Sequence, residues 1–231
     1  MTTGDASVTA ADRSSPQRGQ RRPGRPANAS TDATVAAVLA AARRQFAAHG
    51  YAGTTNRTVA AAAGLTHTAI YNHFGSKARL FTAVFIDVQD VLIAELERSA
   101  AATPTEPPLP RALLHAIEAL RAADPSYVEF LASMYVEVRR HPDLRQIFQG
   151  RQPFPILDTL RQLAAEPAPT GPGADSEASM WLWIAVALGL AQLGALADPG
   201  TFAATVDLVR RGVADLRTDG AMSPQSGDDS S

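Results

Sequence analysis

Residues 54–74, TTNRTVAAAAGLTHTAIYNHF, limit the possible folds of this chain more than any other stretch, because they read as two short helices joined by a tight turn. Thr55 stands where a hydroxyl can cap the first helix by accepting a hydrogen bond from a backbone N–H one turn in. Gly64 ends that helix, since the turn calls for a residue that tolerates positive φ. Thr66 can cap the second helix, which runs to about Phe74. Ile70 and Phe74, four residues apart, share one side of it, while His67, Thr68, Tyr71 and Asn72 project from the other. A helix anchored by two apolar side chains and otherwise presenting small polar and aromatic ones is shaped for reading a surface. The pattern is a helix-turn-helix, and the candidate surface is the DNA major groove.

The charge distribution agrees with that candidate. The chain carries a formal net charge of -2, but residues 1–82 hold ten Arg or Lys against three acids (Asp5, Asp12, Asp32), a net of +7. The remaining residues carry a net of -9, as expected if only the first part meets phosphate. At 231 residues and 45% hydrophobic content the chain can bury a sizeable core. Absence of cysteine removes disulfides and thiolate chemistry. Nothing supports an enzyme: there is no phosphate-cradling glycine loop and no Gly-x-Ser-x-Gly. The five histidines (His49, His67, His73, His115, His141) show no metal-ligand pairing with acids, so no metal or other cofactor is expected.

Residues 1–31 form an Arg-rich tail expected to be disordered. Within it Arg21-Arg22-Pro23-Gly24-Arg25-Pro26 resembles the Gly-Arg-Pro core of an AT-hook, so Arg22 and Arg25 are candidates for a narrow minor groove. A solvated linker that only adds charge is the equal alternative. From Asp32 the residues Val35, Val38, Leu39, Ala42 and Phe46 recur at helical spacing, and His49-Gly50 supplies a stop. Ser76 caps a long helix striped with Leu80, Phe81, Val84, Phe85, Val88, Val91, Leu92 and Leu96. It runs to about Ala101 and belongs to both halves of the chain. After the Pro-rich break at 103–110, helices are expected over about 111–123, from Asp124-Pro125-Ser126 to Arg139-Arg140-His141-Pro142, and over 154–165. Two more cover 175–197 and 202–216, and a polar tail occupies 218–231.

The uncharged residues 178–197 are long enough to span a bilayer. Gln192, Ser179, the many Ala and Gly residues and the lack of flanking Lys or Arg favour instead a buried helix of a soluble bundle. With no secretory signal in residues 1–29, the cytoplasm is the expected location.

The run Phe46, Gly50-Tyr51, Thr54-Thr55, Val59-Ala60, Ala63-Gly64-Leu65-Thr66, Ile70-Tyr71, His73-Phe74, Lys77 and Leu80 resembles the DNA-binding domain of the TetR/AcrR family of bacterial transcriptional regulators. The resemblance covers roughly residues 32–87, and beyond it only the architecture is similar. It implies an all-α protein with two parts. Residues 32–92 would be an N-terminal three-helix DNA-binding domain with its motif at 55–74, and residues 93–217 a C-terminal helical domain for ligand binding and dimerisation.

Carried over residue by residue, the resemblance puts Tyr71, His73 and Lys77 on phosphates, helped by Thr55. It puts Arg57 within reach of a base, with Thr66 heading the reading helix and His67, Thr68, Ala69 and Asn72 setting the remaining preference. His67 and Thr68 depart from the residues common at their positions, so no operator can be borrowed. The resemblance further implies a homodimer through the helices at 175–197 and 202–216, a palindromic double-stranded DNA operator, and release by a small, mainly apolar effector. Pocket candidates are Tyr127, Phe130, Met134, Tyr135, Phe148, Phe154, Trp181 and Trp183. The other reading of the DNA signal is a non-specific architectural binder that relies on the basic tail.

Overall fold

The position of the hairpin is set by the helix before it. The computed structural model describes residues 27–102, 108–149, 155–165 and 176–220. Arg22, Arg25, Phe154 and the tail beyond 220 lie outside them. The first helix, α1 (Ala27–Gly53), starts five residues before Asp32. The expected stop at Gly50 is a kink, with φ 68° and ψ 176°, followed by one further turn. The buried Thr54 hydroxyl covers the carbonyls freed there, reaching Gly50 O at 2.8 Å and Gln45 O at 3.0 Å in a shared bond.

The two hairpin helices are α2 (Asn56–Ala62) and α3 (His67–Phe74), and α4 (Lys77–Ala101) is the long helix. At about 1.5 Å per residue, α4 is roughly 37 Å long. α5 (Pro108–Ala123) starts earlier than its apolar pattern because prolines are tolerated in a first turn. α6 (Ser126–Arg140) follows the expected bounds, and then comes α7 (Pro142–Gln149), a helix that the sequence pattern did not assign. Its eight residues give too few turns for periodicity to stand out, although Pro142 suits a first helical position. α8 (Pro155–Ala165), α9 (Ser176–Leu196) and α10 (Pro199–Gly220) complete the chain. The Asp198 carboxylate caps α10, accepting from the N–H groups of Gly200 and Thr201 at 3.0 Å each.

The hairpin has no core of its own. Phe46, Val59, Ile70, Leu80, Phe81 and Val84 are buried in one cluster with Phe130 and Met134 of α6 and Leu144 of α7. Phe46 and Phe81 meet edge to face at 5.0 Å, and Phe81 lies 5.0 Å from Phe130. Three short helices alone could not remove this much apolar surface from water, so α6 and α7 complete the job. Two further clusters occupy the other half, one around Leu96, Leu113 and Leu160 and one around Leu120, Leu190 and Phe202.

Polar contacts fasten α1 to the same two helices. Arg43 of α1 is 3% exposed. Its Nε donates to Ser126 Oγ at 2.9 Å and its Nη2 to Asp124 Oδ2 at 2.9 Å, while the guanidinium lies 3.3 Å above the centroid of the Tyr127 ring. Arg44 adds a bond to the same Asp124 oxygen at 2.8 Å. Burial pushes the Asp124 carboxyl up, but hydrogen bonds from the Ser126 hydroxyl and N–H and from the two arginines outweigh it and hold the group well below the usual carboxylate range. Two turns further along α1, the Tyr51 hydroxyl donates to Asp143 of α7, and its ring packs 4.8 Å from His141. Gly50 lies so close to α6 that a Cβ there would be 2.8 Å from Glu137 Oε1.

Two outcomes follow from these fastenings. Gly50→Ala should lose about 2 kcal/mol or more in chemical denaturation, since a left-handed residue acquires a Cβ and that Cβ meets Glu137. Because the folded pKa of Asp124 lies below its unfolded value near 4, its contribution is complete above that value and fades as the pH falls toward the folded one. Thermal unfolding should therefore show a steeper loss of stability as the pH falls below about 4 in the natural chain than in Asp124→Asn.

Candidate nucleic-acid interface and regulatory cavity

Each helix of the hairpin is started by a threonine. Thr55 and Thr58 form a reciprocal box, each backbone N–H donating to the other's hydroxyl at 3.1 Å. Thr66 Oγ1 accepts from Ala69 N–H at 3.3 Å, and Gly64, at φ 68°, makes the turn between them with open space around it. Leu65 N–H returns to Ala60 O at 2.9 Å, which ties the turn back onto α2.

These constraints turn α3 as its pattern predicts. Ile70 is buried and Phe74 packs against the same core, while His67, Thr68, Tyr71, Asn72 and His73 are exposed. Tyr71 has 59% of its surface exposed. Ala69 is half-buried, and Thr55, Arg57 and Thr66 are exposed beside the face. No Asp or Glu occurs between positions 33 and 86, so the hairpin and the helix segments that flank it contribute only neutral or basic side chains. An anionic polymer therefore meets no repulsive side chain from the hairpin.

Lys77 is the exception among the carried-over residues. It is half-buried, donates from Nζ to Tyr51 O at 2.8 Å, and sits 4.2 Å from the centroid of the Tyr51 ring. It thus ties the start of α4 to the end of α1, the same end that Asp143 holds. Arg79, one residue pair further along, is exposed and lines a surface groove with Asn72 and His73. Its place three residues after the Ser76 cap is the only hint of this in the sequence.

The pocket candidates do not converge. Met134 and Tyr135 line a cavity of about 90 Å³ enclosed by α4, α5, α6, α8 and α9, whose wall includes Phe85, Gln89, Leu131, Leu160 and Ala187. The others have different neighbours. Tyr127 carries the Arg43 guanidinium, Phe130 is core between Phe46 and Phe81, and Phe148 packs on Phe85 at 5.2 Å. Trp183 packs against the Leu96 cluster, and Trp181 is half-exposed on the outer side of α9. Aromatic spacing along a helix shows which residues share a face, not which of them face a void. Gln89 was missed for the opposite reason, being a polar residue inside an apolar stripe. Among the described residues no cluster of His, Asp or Glu is placed to hold a metal ion.

The last two helices divide by face. Ala191, Phe202 and Val206 are buried within the chain, and Ala187 packs there too, so the face of α9 that carries Ala187 and Ala191 is used internally. Arg121 of α5 donates to Gly194 O and lies 4.4 Å from the Phe202 ring centroid, which clamps the α9–α10 corner. The outer face is open: Trp181, Leu182, Ala185, Gly189 and Leu196 of α9, with Ala204 and Leu208 of α10, are exposed. Within a single chain α9 is therefore only partly covered. Only 17% of the window Glu177–Gly194, which is long and apolar enough to cross a membrane, is buried.

Comparison with known proteins gives this geometry a lineage. Residues 38–84 match the family described as bacterial regulatory proteins, tetR family. Over 47 residues the chain is 49% identical to the HTH-type transcriptional repressor AcnR of Corynebacterium efficiens, and equally to that of Corynebacterium glutamicum. Those matches span 20% of this chain and 25% of each relative's length. Among solved structures, Salmonella enterica GusR is similar with a TM-score of 0.62 at 20% identity, covering 80% of this chain and 96% of that one. A transcriptional regulator from Rhodococcus sp. Rha1 is similar with a TM-score of 0.60 at 24% identity, covering 82% and 99%. The hairpin region is thus matched in sequence to the tetR family of bacterial regulatory proteins, and the described helices as a whole are matched in fold to solved transcriptional regulators.

Proposed function

We propose that this protein is a DNA-binding transcriptional regulator that acts as a symmetric homodimer, holds a palindromic operator in the cytoplasm, and lets go when a small apolar ligand enters the cavity. The observation that carries the reading is the exposed, acid-free face of α3, capped by Thr66 and anchored by Ile70. Tyr71, His73 and Thr55 serve phosphates, Arg57 reaches a base edge, and His67, Thr68, Ala69 and Asn72 set the rest of the preference. Repression is the mode adopted here, in line with the repressors that share the hairpin sequence.

One hairpin covers only a few base pairs, so specificity calls for two, held about one helical turn or more apart. The open face of α9 and α10 supports a second copy of this chain as the occupant. Ala185 and Gly189 allow close backbone approach, and Leu182, Leu196 and Leu208 flank them. A two-fold axis would bury the same stripe on both copies.

Release follows from cavity size. An engineered cavity of about 150 Å³ holds one benzene, so a void of about 90 Å³ must be widened by any ligand of ordinary size. Its walls include α4 and α6. α6 is fastened to α1 through Ser126 and the Asp124 just before it, and α1 carries the hairpin. A ligand that parts α6 from α4 therefore changes the hairpin's seat, and its preference for the widened state is the free energy available for release.

Purified protein titrated with its own upstream DNA and with a scrambled duplex, at several salt concentrations, tests the central claim. The natural fragment should bind more tightly, Tyr71→Ala should lose about tenfold, and Arg57→Ala should lose about 1–3 kcal/mol with relaxed preference at one position. Equal binding to both duplexes that disappears on deleting residues 1–30 would replace the proposal with a non-specific binder acting through its tail. For the dimer, Leu182→Arg with Leu208→Glu should sediment as a folded monomer while the natural chain sediments as a dimer. Retention of the dimer, or capture of the natural chain by phospholipid vesicles, would remove α9 and α10 as the self-association face.

A further inference from the structure

The cavity wall contains one feature that the folding of the chain does not explain. Gln89 lies on the inner stripe of α4, between Phe85 and Leu92, where every consideration of burial favours an apolar side chain. It is 5% exposed, and no protein donor reaches its buried Oε1. A buried carbonyl without a partner is a liability that an isosteric methionine would remove. Liabilities of this kind concentrate at functional sites.

The rest of the wall defines what could satisfy it. No charged side chain is present among the described residues that line the cavity, and apart from Gln89 the only polar group is the hydroxyl of the half-exposed Tyr135. A carboxylate or ammonium ligand would be stripped of water with no counter-ion to meet it. A wholly apolar ligand would leave Oε1 unpaired. Gln89 offers a hydrogen-bond acceptor and, on the other side of the same carboxamide, a donor, which a hydroxyl can answer in either orientation.

We propose that Gln89 is the orienting group of the effector site, and that the effector class is a neutral, largely apolar molecule bearing a hydroxyl that donates to Gln89. This rests on the reading of the cavity as an effector site. The acceptor would then lie on α4 itself, the helix whose first turn adjoins the hairpin, so that seating the ligand and moving the DNA-binding half share one element.

The test uses the full-length protein with 1-octanol and 1-naphthol, each beside its methyl ether and its corresponding carboxylate. Binding is read by calorimetry and thermal shift. One net hydrogen bond predicts that each alcohol binds about tenfold tighter than its ether, with the carboxylate weaker still. In Gln89→Met the alcohol's advantage should vanish while the ether binds at least as well, and the ligand-free variant should melt higher. Ala187→Leu, which fills the cavity, should abolish binding of every probe.

Equal affinity for alcohol and ether, a preference for the carboxylate, or an alcohol advantage that survives Gln89→Met would overturn the assignment while leaving the cavity as a ligand site. If Gln89→Met does not fold, the alcohol-to-ether ratio in the natural chain decides alone. Failure of every probe to bind the natural chain, or binding that persists in Ala187→Leu, would overturn both the assignment and the cavity as effector site. DNA recognition is judged separately by the duplex titrations.

Discussion

A charged guanidinium can be buried only where its surroundings replace the water it loses, and Arg43 meets that condition at one place in this fold. Ser126, Asp124 and the face of Tyr127 supply a hydroxyl, a carboxylate and a π-surface from the start of α6 and the turn before it, and Asp87 of α4 lies 4.0 Å away. The demand is directional. A hydrophobic contact tolerates sliding by an ångström, whereas a guanidinium forked between a hydroxyl and a carboxylate does not. α1 is therefore indexed against α6 as well as packed on it, and the hairpin, which rests on α1, inherits that register.

The second fastening, where Tyr51 meets Asp143 and His141 while Lys77 meets Tyr51 O, stands at the opposite end of the α1–α6 contact. Two separated fixed points define a direction, so the attitude of the reading helix follows that of α6. The cavity opens against the middle of α6, between the two points. On the function proposed above, a small, largely apolar void in that position would be a physically economical trigger. Filling it with apolar surface is favourable, and little can be filled without moving a wall.

The charge asymmetry read from the sequence acquires a second meaning in the structure. Positions 33–86, which hold the hairpin, contain no acid. Asp124, Asp143 and Glu137 instead sit on the opposite side of α1, where they hold Arg43, Arg44, Tyr51 and His141. Acids thus serve as internal fasteners where α1 meets α6 and α7, and are missing where phosphate would arrive. The Glu137–His141 pair, at 3.1 Å, closes the same corner that presses on Gly50.

Much of the DNA-reading half was determined by local chemistry and could be read without coordinates. The threonine caps, the positive φ at Gly64 and Gly50, and the opposite faces occupied by Ile70 and Tyr71 depend on residues within a few positions of one another, so spacing alone encodes them. The bounds of α3, α4 and α6 follow for the same reason. What spacing cannot encode is which side of a helix meets which other helix. Tyr127, Phe130 and Tyr135 share a stripe in the sequence, yet one carries an arginine, one fills a core and one edges a cavity, because three different elements pack against α6. Gln89 and Arg43 resemble misplaced polar residues until α5, α6 and α9 are set around them. The sequence by itself determined most of the helices, the opposed faces of α3 and the resemblance carried by the hairpin. Only the tertiary structure decided where the void lies and what fastens it to the hairpin, because both depend on contacts between residues some eighty positions apart, and local spacing carries no information at that range.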